Sequence, residues 1–156
     1  MTIRNADKSD LAAINRVITD AVMAWPLPER ARRLIVPVLC YNDAEDLDYY
    51  QALVWEEDGQ IVGVATWDIT RQINTAKGRA KLLHGLFIAP GFQRRGIGQT
   101  LIGEVAVRAA ASDASLDGLL IKAERVAIGF FKHCGLEPIE ALAPEDYPYQ
   151  FWRPLG

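Results

Sequence analysis

The stretch Leu82–Ala111, LLHGLFIAPGFQRRGIGQTLIGEVAVRAAA, decides the fold. Its apolar run (Leu82, Leu83, Leu86, Phe87, Ile88) stops at Ala89-Pro90-Gly91, and a polar loop follows, Gln93-Arg94-Arg95-Gly96-Ile97-Gly98. Ile97, Leu101, Val105 and Ala109 then recur every four residues, marking one face of a helix. The order is strand, loop, helix, with glycines where the helix starts.

The first amides of a helix lack internal partners and sit at the positive end of its dipole. Glycines there let main chain approach an anion without a Cβ in between, and a pyrophosphate is the natural guest. The loop is not a P-loop, because no Lys-Ser/Thr pair follows its last glycine. It also fails the dinucleotide fingerprint, whose third glycine would fall at Leu101.

The stretch does resemble the Gln/Arg-x-x-Gly-x-Gly/Ala loop of the GCN5-related N-acetyltransferases (GNAT), with Gln93, Gly96 and Gly98 at the fixed positions. A second match lies downstream: Val126-Ala127-Ile128-Gly129-Phe130-Phe131-Lys132-His133-Cys134-Gly135-Leu136 is similar to the family's late helix, A-x-x-F-Y-x-x-x-G-F. The resemblance covers almost the whole chain, residues 2–23 matching the family's first strand and helix and 51–69 its hairpin. It implies a mostly antiparallel, twisted sheet of about seven strands with helices on both faces, splayed between strands 4 (81–89) and 5 (118–123). It also implies acetyl-CoA (coenzyme A) as cosubstrate, without a metal, and transfer of acetyl to a primary amine of a small molecule or protein by direct attack on the thioester.

The same resemblance assigns residues. The backbone of Phe87 and Ile88 would pair with pantetheine, with the Ile88 amide near the thioester oxygen. Gln93, Arg94, Arg95, Gly96, Ile97 and Gly98 would wrap the pyrophosphate, and either arginine could reach a 3′-phosphate. Phe131 stands where the family carries a tyrosine that protonates the leaving thiolate, and a phenyl ring donates no proton. Cys134, Tyr147, Tyr149 or water could serve instead, or the thiolate could leave unaided; Phe131 is then a packing residue beside the cofactor. His84 is the candidate general base or relay, since histidine titrates near neutrality and Leu83–Ile88 is similar to the arylalkylamine branch, which has a histidine there. Period-two alternation predicts that His84, Leu86 and Ile88 share one side of the strand. The missing tyrosine leaves a second reading, a non-catalytic acyl-CoA sensor on the same fold.

Outside these motifs, the 156 residues predict one domain, 1–156. Half are apolar and 24% charged, as in ordinary globular chains. A net charge of −3 argues against a general nucleic-acid binder. No apolar run approaches membrane-spanning length and no secretory h-region opens the chain, so the expectation is a cytoplasmic protein that binds no membrane. Two cysteines, Cys40 and Cys134, lack metal-ligand spacing. A homodimer is possible through the Trp152-bearing C-terminal strand.

The remaining elements come from local pattern. Residues 2–6 predict a strand, and Leu11, Ile14, Ile18 and Val22 a helix face capped by Asp7 or Ser9. One helix or two short ones fall between 29 and 50. Residues 52–55 and 61–67 flank Asp58-Gly59 as a hairpin. A mobile loop is expected over 71–79, a central strand over 119–123, a helix over 126–133 and closing strands over 136–142 and 149–153. Antiparallel strands followed by strand-helix-strand units predict a mixed α/β sheet covered on both faces. The acidic residues Glu56, Glu57, Asp68 and the 43–48 cluster could attract a cationic amine.

Overall fold

A computed structural model describes residues 1–155. Eight strands form one sheet: β1 (Thr2–Asn5), β2 (Tyr50–Glu57), β3 (Gln60–Asp68), β4 (Ile73–Thr75), β5 (Gly78–Ile88), β6 (Gly118–Lys122), β7 (Glu137–Ile139) and β8 (Gln150–Pro154). The spatial order is β1-β2-β3-β5-β6-β8-β7, with β4 paired to β5. Every pairing is antiparallel except β5 with β6.

Alternation on β2 sorts the sheet into two cores. Ala52 and Val54 face one side and pack with Ile14, Val17, Ile18 and Val22 of α1 (Leu11–Met23). Leu53 and Trp55 face the other and pack with Ile97, Leu101 and Val105 of α3 (Ile97–Ser112). The four-residue repeat of α3 is buried as expected: Ile97, Leu101, Val105 and Ala109 are each at most 2% exposed. The β2–β3 turn has positive φ at both Asp58 and Gly59, which matches the twist of the flanking strands.

Between α1 and the hairpin lie α2 (Glu29–Leu39) and a single helical turn at 44–48, the two-piece alternative for this segment. Pro37 does not interrupt α2, which continues to Leu39. Asn15 of α1 anchors the chain just beyond α2: its Nδ2 donates to the Tyr41 carbonyl at 2.8 Å and its Oδ1 accepts from the Tyr41 amide at 2.9 Å.

Two expectations are corrected. Residues 71–79 are not a mobile loop: Ile73, Asn74 and Thr75 pair with Ala80, Arg79 and Gly78, so this segment adds the eighth strand. Its polar composition hid a tight hairpin closed by Thr75, whose hydroxyl donates to the Gly78 carbonyl at 2.8 Å. Trp152 is 4% exposed, packed on Gly118 within this chain, so the interior β8 presents it to no dimer interface.

The expected splay is present. β5 and β6 pair only from Ala80↔Gly118 to Leu83↔Ile121, and β5 then continues to Ile88 paired with β3 but not with β6. Beyond that fork lies α4 (Ile128–His133). It closes on Gly135 at φ 81°, with the Leu136 amide donating to the Phe131 carbonyl at 3.2 Å, a left-handed helix stop.

Candidate functional site

Two cavities flank the open stretch of β5. The first, about 610 Å³, lies at the start of α3 and is lined by Ile88, Gln93, Arg94, Gly96, Ile97 and Gly98 from the loop, with Phe130, His133 and Cys134 from the α4 region. Arg94 (φ 64°) and Gly96 (φ 77°) both adopt the left-handed conformation, turning the chain sharply into the helix. Among the described residues, the amides of Gly96, Ile97, Gly98 and Gln99 donate to no protein acceptor; the Thr100 amide begins the helical pattern on the Gly96 carbonyl at 3.0 Å. A Cβ on Gly96 would meet nothing within 4 Å, whereas one on Gly98 would lie 2.8 Å from the Phe130 ring. Gly98 therefore lets α3 and α4 close on each other, and Gly96 leaves open space at the cavity.

The loop's side chains divide. Gln93 Nε2 donates to the Ile88 carbonyl at 3.4 Å, tying the loop back to the strand. Arg94 faces the cavity. Arg95 is engaged elsewhere, 3.4 Å from Glu57 Oε2 and over the Phe92 ring.

Ile88 and Phe87 face different ways. The Ala89 amide donates to Val62 of the hairpin at 2.8 Å, so alternation directs the Phe87 main chain to β3 and that of Ile88 to the open fork. The expectation that the Phe87 main chain pairs with pantetheine is therefore corrected, because β3 already occupies that edge.

The second cavity, about 430 Å³, is lined by Trp25, Val38, Tyr41, the strand residues 82–87, Lys122, Glu124, Phe131 and Tyr147. His84 enters it by a backbone irregularity. Thr66 pairs with Gly85 but Trp67 pairs with Leu83, so His84 is an extra residue, a β-bulge. The bulge reverses the alternation: Leu83, Leu86 and Ile88 pack with α3, and His84 emerges on the opposite side beside Tyr41 and Tyr50. The expectation that His84 shares a side with Leu86 and Ile88 is therefore corrected, because strict period two ignores the inserted residue.

His84 Nδ1 lies 3.3 Å from the Tyr41 hydroxyl, and the Tyr50 ring stacks at 4.2 Å between centroids. Surface area makes His84 exposed, since its cavity opens to solvent. The walls still remove enough water to lower its pKa, an effect that the charge of Asp68 opposes. Burial pushes the Tyr41 hydroxyl up to about 12, so it stays neutral.

Of the alternative acids, Tyr147 reaches the cavity that holds Phe131. Cys134 lines the first cavity, where burial pushes its thiol up to about 11. Tyr149 lines neither. Several acidic residues are already engaged: Glu56 pairs with Arg4, Glu57 with Arg95 and Asp48 with Lys8, and Asp68 accepts from the Thr70 and Arg71 amides. Glu124, which no motif marks, stands at the His84 cavity, where Lys122 is paired with Asp146 at 3.0 Å. His133, at the end of the late helix, lines the loop cavity. Tyr41 and Trp25 carry no sequence signal either; they sit far from the motif, in the segment whose periodicity is weakest. No cluster of three or more metal-ligating side chains occurs among the described residues, and no helix there is long and apolar enough to cross a membrane.

Comparison with known proteins agrees with this geometry. The model of the acetyltransferase (GNAT) family matches residues 16–136, and the chain belongs to that family. An L-methionine sulfoximine/L-methionine sulfone acetyltransferase of Salmonella typhimurium is 31% identical over 106 residues; the match covers 67% of this chain and 61% of that protein's length. The chain thus spans less than two thirds of that relative. Among solved structures, a PaiA N-acetyltransferase from Thermoplasma acidophilum in complex with coenzyme A superposes with TM-score 0.70 at 16% identity, covering 99% of each chain. A GNAT family acetyltransferase from Brucella melitensis in complex with acetyl-CoA gives 0.61 at 21% identity, covering 99% of this chain and 88% of the other. These likenesses show the fold.

Proposed function

We propose that the chain is an acetyl-CoA-dependent N-acetyltransferase acting on a primary amine of a small molecule or protein. One observation carries this reading. The bare amides at the start of α3, the open main chain of Ile88 and the His84 cavity lie in sequence along a single fork in the sheet.

Acetyl-CoA would supply the activated acyl group. The residues of this chain have separate tasks. Gly96, Ile97, Gly98 and Gln99 offer amides to the pyrophosphate, Arg94 adds charge, and Gln93 holds the loop. Ile88 offers its amide to the oxyanion that develops as the amine attacks. His84 accepts the amine's proton, directly or through water, as the C–N bond forms and the C–S bond breaks. The sulfur departs as thiolate, which water protonates. Phe131 packs beside it, and Tyr147 supplies the one hydroxyl from the expected set in that cavity.

The named relative's acceptors put small amino-acid amines in the test panel. The same reading makes residues 1–156 one catalytic domain of a cytoplasmic protein, with homodimerisation to be measured by sedimentation. The phenyl ring of Phe131 favours one competing reading, an acyl-CoA sensor. Calorimetry with CoA and a thiol-release assay over an amine panel separate the two. Binding with turnover supports the enzyme, binding with no turnover on any amine supports the sensor, and no binding removes both.

A further inference from the structure

Proton removal from the amine uses one side of the His84 ring; the other touches a buried hydroxyl chain. The Tyr41 hydroxyl lies 2.7 Å from Thr66 Oγ1 and 3.3 Å from His84 Nδ1. Tyr41 is 8% exposed and Thr66 2%, so the Tyr41–Thr66 bond is buried. A phenol has a single hydrogen. The Tyr41 hydroxyl donates it to Thr66 Oγ1, and the phenolic oxygen is left facing Nδ1 as an acceptor.

We propose that Tyr41 is a positioning residue that holds neutral His84 with its proton on Nδ1, so that Nε2 presents its lone pair to the cavity. The inference rests on the reading of His84 as base. Which ring nitrogen carries the proton is set by the bond the other makes. The chain of hydroxyls ends at Thr66 inside the sheet, so it orients the ring and does not export the proton, which leaves through the open cavity. Once the ring is protonated, Nδ1–H keeps the same acceptor.

The array is held from several directions. Asn15 grips both main-chain groups of Tyr41. Tyr50 stacks on the ring, and Asp68 is the nearby carboxylate favouring the imidazolium. Lys122, Glu124 and Tyr147 complete the titratable groups of the cavity. Gly85 is part of the same arrangement, since a Cβ there would press the Phe87 ring at 3.0 Å and Thr66 Oγ1 at 3.3 Å.

The test is long-range ¹H–¹⁵N correlation spectroscopy on the ¹⁵N-labelled full chain, above the pKa of His84. Only two histidines are present, so His84→Ala assigns the spectrum. The parent should show the Nδ1–H form. Thr66→Val removes Tyr41's acceptor, turns its hydrogen towards Nδ1 and should switch His84 to the Nε2–H form. Turnover should then fall about tenfold with KM for acetyl-CoA unchanged, part of the 10²–10⁴ a general base contributes. Tyr41→Phe keeps the ring packing and should give a mixture of forms. An Nε2–H parent, or one tautomer common to the parent and both variants, overturns the proposal. The spectra need no turnover, so failure of the base reading shows separately, as full activity in His84→Ala.

Discussion

The two cavities beside the fork are built by opposite means. The loop cavity is drawn largely from one continuous stretch, 88–99, whose first helical amides are unpartnered, with a few contacts from the α4 region. The His84 cavity gathers residues far apart in the chain: Trp25, Tyr41, the bulged strand, Glu124, Phe131 and Tyr147. Main chain recognises any phosphate, whereas assembled side chains can tune a proton and select an acceptor. Substitutions in the first region should therefore alter cofactor affinity, and those in the second turnover.

His84→Ala gives the largest expected effect, a fall in kcat of about 10²–10³, with CoA affinity by calorimetry changed less than twofold. The parent's kcat/KM should rise with pH through a midpoint below the usual histidine value of about 6.5, because burial favours the neutral form that acts as base. In His84→Ala that limb should vanish; a profile overlaying the parent's would break the division. Gly96→Val should weaken CoA binding about 100-fold while circular dichroism stays native. Its φ of 77° strains a β-branched residue, and the added methyls enter ligand space. Unchanged affinity would remove the phosphate placement.

Smaller effects sharpen the picture within each region. Arg94→Ala should weaken CoA binding about fivefold, as one charge-assisted contact is lost. Arg95→Ala should cost less than about twofold, since its partly exposed pair with Glu57 is worth little. Equal losses would return Arg95 to the site. Tyr147→Phe should lower kcat by no more than about threefold, because a thiolate leaves without the full help of a general acid. A hundredfold loss would make Tyr147 that acid.

The same contrast explains what the sequence made legible. The helix repeat 97–109 and the Asp58-Gly59 turn are local signals, and each appears where the residues place it. The loop was equally readable, because a helix start needs only consecutive residues. The bulge at His84 was not, since it is defined by a partner strand and leaves no mark in the alternation of Leu83-His84-Gly85-Leu86. Tyr41, beside His84, has its main chain held by Asn15, 26 positions earlier in the chain. The hairpin at 73–80 was masked by polar residues whose strand character comes from pairing with β5.

Four parallel rungs, Ala80–Leu83 on Gly118–Ile121, join the two halves of the sheet, leaving it shaped like a partly open zip. A guest seated along the gap touches both halves and fastens them, so its binding energy adds to the cohesion of the fold. The melting temperature should then climb with guest concentration, as the added stability reaches about 2.7 kcal/mol at a hundred times Kd. Heat resistance, a bulk property, would report how fully the zip is closed.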